Sequence, residues 1–203
     1  MEVVMLAVVC FALAASAVTT YPVSAQYDGS SLAINEIMIL PLSSSSTEAG
    51  QWIELYNSGE NWINLTEWSL ENEKGQTISF RTLLVPPGGY FVIGASSITT
   101  ENGNYSPDAV WTSFFLSASG SLSLINQDSD SAESVSWNST WDILPGSSLE
   151  RVNPGWAADD SHSWQHSTEN YGDGDYGTPG ARNSAFSNGF GQNSWAFIKA
   201  FVH

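Results

Sequence analysis

Two glutamates lie in the middle of apolar runs, where a carboxyl group is placed to act as a general acid or base. Glu36 lies in the run of residues 33–40, and Glu54 lies in the run of residues 51–57. Both runs are typical of β-strands, and neighbouring strands would hold the two carboxyls about 5–9 Å apart, as in glycosidases. The alternative is that each glutamate points outward or bonds a nearby backbone group. No pocket-forming loops accompany the pair, so the sequence favours this second interpretation.

A pair of aspartates suggests a cation site. Asp173 and Asp175 alternate with glycines in residues 172–177, and alternating carboxylates in such a loop are suited to Ca²⁺. The match to a calcium loop is partial, because a third spaced ligand and a terminal glutamate are missing. Asp-Gly pairs are also common in solvated turns, which is the favoured alternative. The sequence therefore predicts no cofactor, with calcium as the alternative at Asp173 and Asp175.

A second metal hypothesis concerns two histidines. His162 and His166, with Asp159 and Asp160, have the i,i+4 spacing of a zinc pair. That spacing brings two ligands together only on a helix, and the surrounding residues carry no helical signal. The alternative function drawn from this region is a small secreted metal-dependent hydrolase that uses residues 159–175.

Three asparagines begin Asn-x-Ser/Thr sequons and are candidate glycosylation sites. They are Asn64, Asn104 and Asn138. In an exported chain they are available for glycans, although sequons also arise by chance in a chain so rich in asparagine and serine.

The charge balance excludes two classes of partner. The chain carries 21 acidic residues against five bases, which gives a formal net charge of -16. Binding to nucleic acid needs a cluster of lysines and arginines that neutralises several phosphates, and attachment to an anionic membrane surface needs the same. We therefore expect neither. The bases are Lys74, Arg81, Arg151, Arg182 and Lys199.

The N-terminal segment is typical of a secretory signal. Residues 3–18 are almost wholly apolar, too few for a membrane span of about 20 residues but enough for a signal core. Small residues before a cut after Ala25 define a signal peptide over residues 1–25. An uncleaved anchor or a buried strand are the alternatives, and Glu2 in place of a basic residue favours the anchor. Cleavage would remove Cys10, the one cysteine, so an exported chain would rely on its core instead of disulfides.

The remaining chain divides into short apolar runs without crossover helices. This pattern predicts an all-β fold, an antiparallel sandwich or barrel. A slip in the alternation predicts a bend between Leu65 and Trp68. Residues 153–183 are predicted to be mostly loop, with the ring of Trp164 packed on the core. Eight strands are predicted, over residues 33–40, 51–57, 63–70 with its bend, 77–80, 90–93, 111–116, 121–125 and 133–137, and residues 148–152 are a candidate for a ninth.

An ordered series of short motifs resembles the lamin tail domain as found in exported prokaryotic proteins. The resemblance covers about residues 33–184. Its pieces are Ile34-Asn35-Glu36-Ile37, Trp52-Ile53-Glu54-Leu55-Tyr56-Asn57, Leu65, Trp68-Ser69-Leu70, Pro87-Gly88-Gly89-Tyr90-Phe91-Val92-Ile93, Ser121-Leu122-Ser123-Leu124, Ser148-Leu149-Glu150-Arg151, Trp164, Gly177-Thr178-Pro179-Gly180 and Asn183.

The resemblance implies an immunoglobulin-like antiparallel β-sandwich that is generally non-catalytic. In this family the domain is often carried beside nucleases or other secreted hydrolases, and in nuclear lamins it is associated with chromatin and protein partners. The coiled-coil rod of lamins is absent here, and so few bases do not suit DNA binding. The predicted organisation is a signal peptide, a linker over residues 26–32, the sandwich over residues 33–184 and an apolar tail over residues 185–203.

The sequence thus predicts a non-catalytic, secreted or cell-envelope module that binds a protein or glycan partner at the cell surface. No integral membrane span is expected after signal cleavage. For the tail, the interpretations are docking on the sandwich, a flexible end, or contact with a partner or the envelope.

Overall fold

The structure is a computed structural model that describes residues 31–186 apart from Thr82 and Ser129. The predicted signal peptide, nearly all of the predicted linker and the tail beyond Phe186 lie outside the described residues. None of the helices in the described part is long and apolar enough to cross a membrane.

Twelve short strands build the described part of the chain. They fall where β-branched and aromatic residues interrupt the serine-, glycine- and asparagine-rich background. The strands are β1 (Leu32–Met38), β2 (Trp52–Asn57), β3 (Ile63–Asn64), β4 (Ser69–Asn72), β5 (Thr77–Ser79), β6 (Leu84–Val85), β7 (Tyr90–Gly94), β8 (Ala109–Val110), β9 (Gly120–Ile125), β10 (Ser131–Trp137), β11 (Leu149–Arg151) and β12 (Trp164–His166).

These strands form two facing layers. The larger sheet has six strands in the order β12-β11-β1-β2-β7-β8, and the smaller has four in the order β10-β9-β4-β5. A two-stranded ribbon of β3 and β6 adds a third, minor sheet. Every strand pair is antiparallel except β7 and β8, which run parallel. The predicted all-β, immunoglobulin-like sandwich is confirmed.

The core lies between the two main sheets, and strict alternation fills it. In β2, Ile53 and Leu55 enter the core, whereas Trp52 and Glu54 face the opposite side of the larger sheet, as predicted. Both faces of β1 and β2 are nonetheless buried, because loops cover the outer face as well. The core side chains from the smaller sheet include Leu70, Leu122, Leu124 and Val135.

The predicted bend between Leu65 and Trp68 is confirmed. Glu67 adopts a positive φ of 68°, and the Trp68 amide donates to the Leu65 carbonyl at 3.0 Å. This turn lets the chain pass from the β3–β6 ribbon into the smaller sheet.

The predicted strand over residues 111–116 is wrong. That segment is irregular, and Ser113 has a positive φ of 57°. Trp111 and Phe114 pack on each other with ring centroids 5.3 Å apart and close one part of the core. Their apolar character mimics a strand, but they are core-filling side chains of a loop.

Among the short elements that lie outside the predicted strands, three bear on how the chain is packed. Helix α1 (Thr47–Gly50) begins at Ser46, whose hydroxyl caps the Ala49 amide, and helix α2 (Thr99–Asn102) ends at Gly103. The third element is β12, within the predicted loop 153–183. It pairs with β11 and brings Trp164 into the core, as predicted for its ring.

One ion pair joins the two sheets. Arg151, fully buried on β11, contacts Glu133 of β10 at 2.9 Å. The same glutamate accepts a hydrogen bond from the Ile34 amide of β1 at 2.5 Å. The guanidinium also donates to the carbonyls of Pro154 and Trp156. Because Glu133 reaches from the smaller sheet to the larger one, this contact holds the layers together at one side of the sandwich.

Replacing the buried base tests that role. We expect Arg151→Met to cost about 3–5 kcal/mol of unfolding free energy, because Glu133 would be left buried without a counter-charge. Denaturant unfolding measures the loss. The exposed Arg81→Met control should stay within about 0.5 kcal/mol of wild type. Equal stability of the two variants would contradict a structural role for the pair.

Candidate functional site

Three glutamates form a row across the outer face of the larger sheet. Glu36 on β1 lies directly opposite Glu54 on β2 and directly opposite Glu150 on β11. All three side chains are completely buried. They face away from the core between the sheets, on the same side of β2 as Trp52. We call these three residues the glutamate row.

Such a row is electrostatically unfavourable. Like charges directly opposite each other on neighbouring strands destabilise a sheet, and burial adds a large desolvation cost. The one buried base of the described chain, Arg151, is engaged with Glu133 instead. The row must therefore be stabilised by hydrogen-bond donors or by protonation.

A segment near the end of the described chain supplies donors from its backbone. Residues 178–185, which we call the strap, cross the glutamate row. The Thr178 amide donates to Glu36 at 2.8 Å, the Gly180 amide donates to Glu54 at 2.6 Å, and the Ala185 amide donates to Glu150 at 2.9 Å. Each glutamate thus binds one backbone amide of the strap.

Side chains complete the shell around the glutamate row. Ser148 donates to Glu36 at 2.5 Å and Ser184 donates to Glu150 at 2.7 Å. Asn35, at the register shift in β1, donates to Glu54 at 2.7 Å and also to the strap residue Asn183 at 2.6 Å. Asn183 in turn donates to the backbone carbonyls of Asn35 and Arg151. The strap is thus fixed to β1 and β11 at its far end as well.

The Thr178 hydroxyl indicates that the row holds a proton. Its oxygen lies 2.7 Å from Glu36 Oε2 and 2.9 Å from Glu150 Oε1. A hydroxyl has one proton to donate, so both contacts are hydrogen bonds only if one carboxyl is protonated and donates in return. The geometry therefore favours a proton on one of the two carboxyl groups that contact the Thr178 hydroxyl.

Burial also favours the protonated form of these carboxyl groups. Burial, followed by the nearby charge of Glu150, raises the pKa of Glu36 from 4.5 to about 8, against the lowering effect of the bonds from Ser148 and Thr178. Burial, followed by the charge of Glu36, also raises the pKa of Glu54 well above its usual value. A protonated carboxyl is therefore expected in the row at neutral pH.

An aromatic cluster covers the outer face beside the row. Trp52 donates from Nε1 to the hydroxyl of Tyr171 at 3.1 Å, and the Tyr105 hydroxyl donates to the Gln51 carbonyl at 3.1 Å. The three rings of Trp52, Tyr105 and Tyr171 lie within about 6 Å of one another, with centroid separations of 5.8, 6.0 and 6.1 Å. Because Trp52 lies two residues from Glu54 on the same face of β2, the cluster lies beside the glutamate row.

The sequence identified part of this site. It predicted that Glu36 and Glu54 lie on neighbouring strands, and of its two interpretations the contacts match the one in which they bond nearby backbone. It missed the role of Glu150. The available signal was that each of the three glutamates has at least one large apolar neighbour, in strands that are buried on both faces.

The predicted calcium ligands have different partners. Asp175 is buried, and its carboxylate accepts from the amides of Leu42 and Ser43 at 3.0–3.2 Å. Asp173 is exposed and accepts from Asn104 at 3.3 Å. The contacts of Asp175 fix the loop after β1. The calcium site stays a prediction that none of these contacts supports.

The histidines of the zinc hypothesis differ in their surroundings. His162 is exposed and contacts Asp160 at 2.9 Å, whereas His166 lies half-buried on β12. In residues 31–186 as described, no group of three or more histidine, cysteine, aspartate or glutamate side chains is placed to hold a metal ion. No observed contact favours the metal-dependent hydrolase.

The fold and the site together define an immunoglobulin-like β-sandwich whose outer acidic row is closed by a strap. The sequence model of the lamin tail domain matches residues 25–139, more than half of the 203 residues. The chain belongs to the lamin tail domain family, as its motifs predicted. The match ends before the strap. A search of curated proteins found no match to this chain.

We call the proton held by Glu36 the trapped proton. It predicts that the free energy of unfolding depends on pH, and Glu36→Gln should change that dependence. Because the folded-state pKa of Glu36 is raised from 4.5 to about 8, the unfolded chain releases this proton first as pH rises. The stabilisation is therefore complete below pH 4.5 and is lost as pH rises to about 8. The loss approaches about 1.4 kcal/mol per pH unit. Glutamine carries no titrating proton, so the variant should gain stability relative to wild type over this range.

Urea unfolding at a series of pH values measures this difference. The matched control is Glu60→Gln, which removes an exposed glutamate. Its free energy of unfolding should change with pH between 5 and 8 in the same way as that of wild type. A constant gap between wild type and Glu36→Gln across this range would show that Glu36 is ionised in the folded protein.

Proposed function

We propose that this chain is an exported, non-catalytic module that binds another protein at the cell surface or in the cell envelope. The observation that carries the proposal is the state of the glutamate row: all six carboxyl oxygens of its three residues have hydrogen-bond partners. General acid–base catalysis needs a carboxyl within hydrogen-bond reach of a substrate. These carboxyls instead hold the protein's own strap.

Family membership supports a binding role. The lamin tail domain is a structural, immunoglobulin-like domain that takes part in protein interactions. A sandwich of this kind presents its outer sheet faces, edges and loops to partners while its core remains closed. A protein is therefore the partner class we propose, and a glycan is the alternative outcome.

The outer face of the smaller sheet is the surface best suited to contact. Most side chains that alternate outward from its four strands carry hydroxyl groups; the exceptions are one carboxylate, Glu71, and one apolar side chain, Ile125, which lies directly opposite Ser69. Adjacent members Ser134, Ser123 and Glu71 lie directly opposite one another across β10, β9 and β4. The hydroxyl side chains of this face are Ser69, Thr77, Ser79, Ser121, Ser123, Ser131, Ser134 and Ser136.

This face, which we call the hydroxyl face, combines two favourable properties. The chain has a formal net charge of -16, so most of its surface repels acidic macromolecules. A face with one carboxylate among short hydroxyl side chains requires little desolvation of charge and little loss of side-chain entropy on contact. It offers both donors and acceptors, as the 3.0 Å contact between Ser123 and Ser134 illustrates.

Export is the second part of the proposal. The apolar segment over residues 3–18 and the small residues before Ala25 support it. Fractionation of cells that naturally produce the protein tests this part directly. Recovery in the envelope or the medium is expected, and recovery with cytoplasmic markers would contradict it.

Capture from an envelope extract tests the binding surface. We expect the wild-type chain to retain a protein that binds the double variant Ser123→Arg/Ser134→Arg at least about tenfold more weakly. A tenfold loss of affinity corresponds to about 1.4 kcal/mol, which repulsion or steric conflict from two arginines is enough to cause. The control Ser45→Arg/Thr112→Arg adds the same charge at exposed loop positions. Equal capture by the face variant, or capture of a glycan and no protein, would contradict the proposal.

A further inference from the structure

We propose that Asn64 is an acceptor for an N-linked saccharide and that Trp62 packs against the first sugar. The inference rests on the proposed export, because the polyprenyl-linked saccharide donor is used outside the cytoplasm. It separates the three sequons, which are equivalent in sequence terms, by their local structure.

The Asn64 side chain is poised for transfer. It is exposed on β3, and its carbonyl oxygen accepts from the amide of Thr66 at 3.0 Å and from the hydroxyl of Thr66 at 2.6 Å. Within the described residues, its amide nitrogen has no hydrogen-bond partner. These contacts close within three residues of sequence, so the arrangement forms locally and does not depend on the rest of the fold.

Modification of Asn64 consumes one saccharide donor molecule. Asn64 Nδ2 forms a bond to the anomeric carbon of a saccharide carried on a polyprenyl pyrophosphate. The bond between that carbon and the pyrophosphate oxygen breaks, and the leaving pyrophosphate takes the electron pair. One proton leaves the amide.

An apolar platform surrounds Asn64 and distinguishes it from the other sequons. Trp62 is 38% exposed and lies two residues earlier on the same side, since Ile63 between them is buried. Leu84, directly opposite Asn64 on β6, is 44% exposed. The apolar face of a sugar ring packs well on an aromatic surface, so a glycan here would cover two side chains that are otherwise exposed to water.

The other two sequons serve as internal comparisons. Asn138 has the same local geometry, with Thr140 donating to its carbonyl oxygen at 2.7 Å, but a serine occupies the position of the tryptophan. Asn104 donates its amide nitrogen to Asp173, 69 residues away, at 3.3 Å. Its loop is also closely packed, since a Cβ on Gly172 would come within 1.9 Å of the Gly103 carbonyl oxygen. A glycan on Asn104 would have to separate these two loops.

Expression of the full chain through a eukaryotic secretory pathway tests the acceptor. Mass spectrometry of the secreted protein should show the highest occupancy at Asn64, less at Asn138 and least at Asn104. Thr66→Ala should abolish modification at Asn64, and Thr66→Ser should retain part of it. A secreted chain with unmodified Asn64, or with Asn104 as its main site, would overturn the proposal even if export is correct.

A double-mutant cycle tests the platform. In the wild-type background, the glycosylated chain should unfold about 2–4 °C higher than Asn64→Gln, and this gain should disappear in the Trp62→Ala background. Trp156→Ala, which removes another exposed tryptophan, is the matched control and should leave the gain unchanged. A gain that survives Trp62→Ala would show that Trp62 does not contact the sugar.

Discussion

The central constraint in this structure is the burial of three carboxyl groups side by side without a base. Neighbouring strands bring Glu36, Glu54 and Glu150 into one row, and the sandwich closes over them. Ionised, they would repel each other in a medium of low dielectric constant. The strap relieves this repulsion by aiming three backbone amides at the row, and a retained proton removes part of the charge. The course of the chain after β12 therefore depends on the row.

A second acidic contact is stabilised in the opposite way. Glu133 also lies in a mostly buried place where burial raises its pKa, but Arg151 stands beside it and lowers the pKa in turn. One contact is thus stabilised by a counter-charge and the other by protonation and amide donors. The first joins the two sheets, and the second joins the strap to the larger sheet. Together they supplement the apolar core in a described chain that contains no cysteine.

The sequence predicts the sandwich well because alternation is a local property. The strands around Ile53 and Leu122 each show which side chains enter the core, and the bend at Glu67 interrupts the alternation visibly. The loop containing Trp111 was predicted to be a strand because its residues are apolar. These residues fill the core, but their backbone is irregular. The sequence predicted only part of the glutamate row, because tertiary contacts set the register between distant strands and the course of the strap. The polar character of Thr178 and Ser184 gives no sign of which carboxyl group each will contact.

The outer faces of the two sheets differ in what they contact, and the proposed function rests on this difference. The side of the larger sheet that carries the carboxyls is used for the protein's own cohesion, and the smaller sheet presents short hydroxyl side chains to the outside. Under the proposed function, the smaller sheet is the side that binds a partner, while the carboxyl groups stabilise the fold.

The most direct test of the account is an NMR titration of the glutamate side-chain carboxyl carbons in the folded protein, assigned with Glu36→Gln. The account predicts a carboxyl resonance that titrates near pH 8 and disappears in that variant. A spectrum in which every glutamate carboxyl is ionised by pH 6 would contradict the trapped proton.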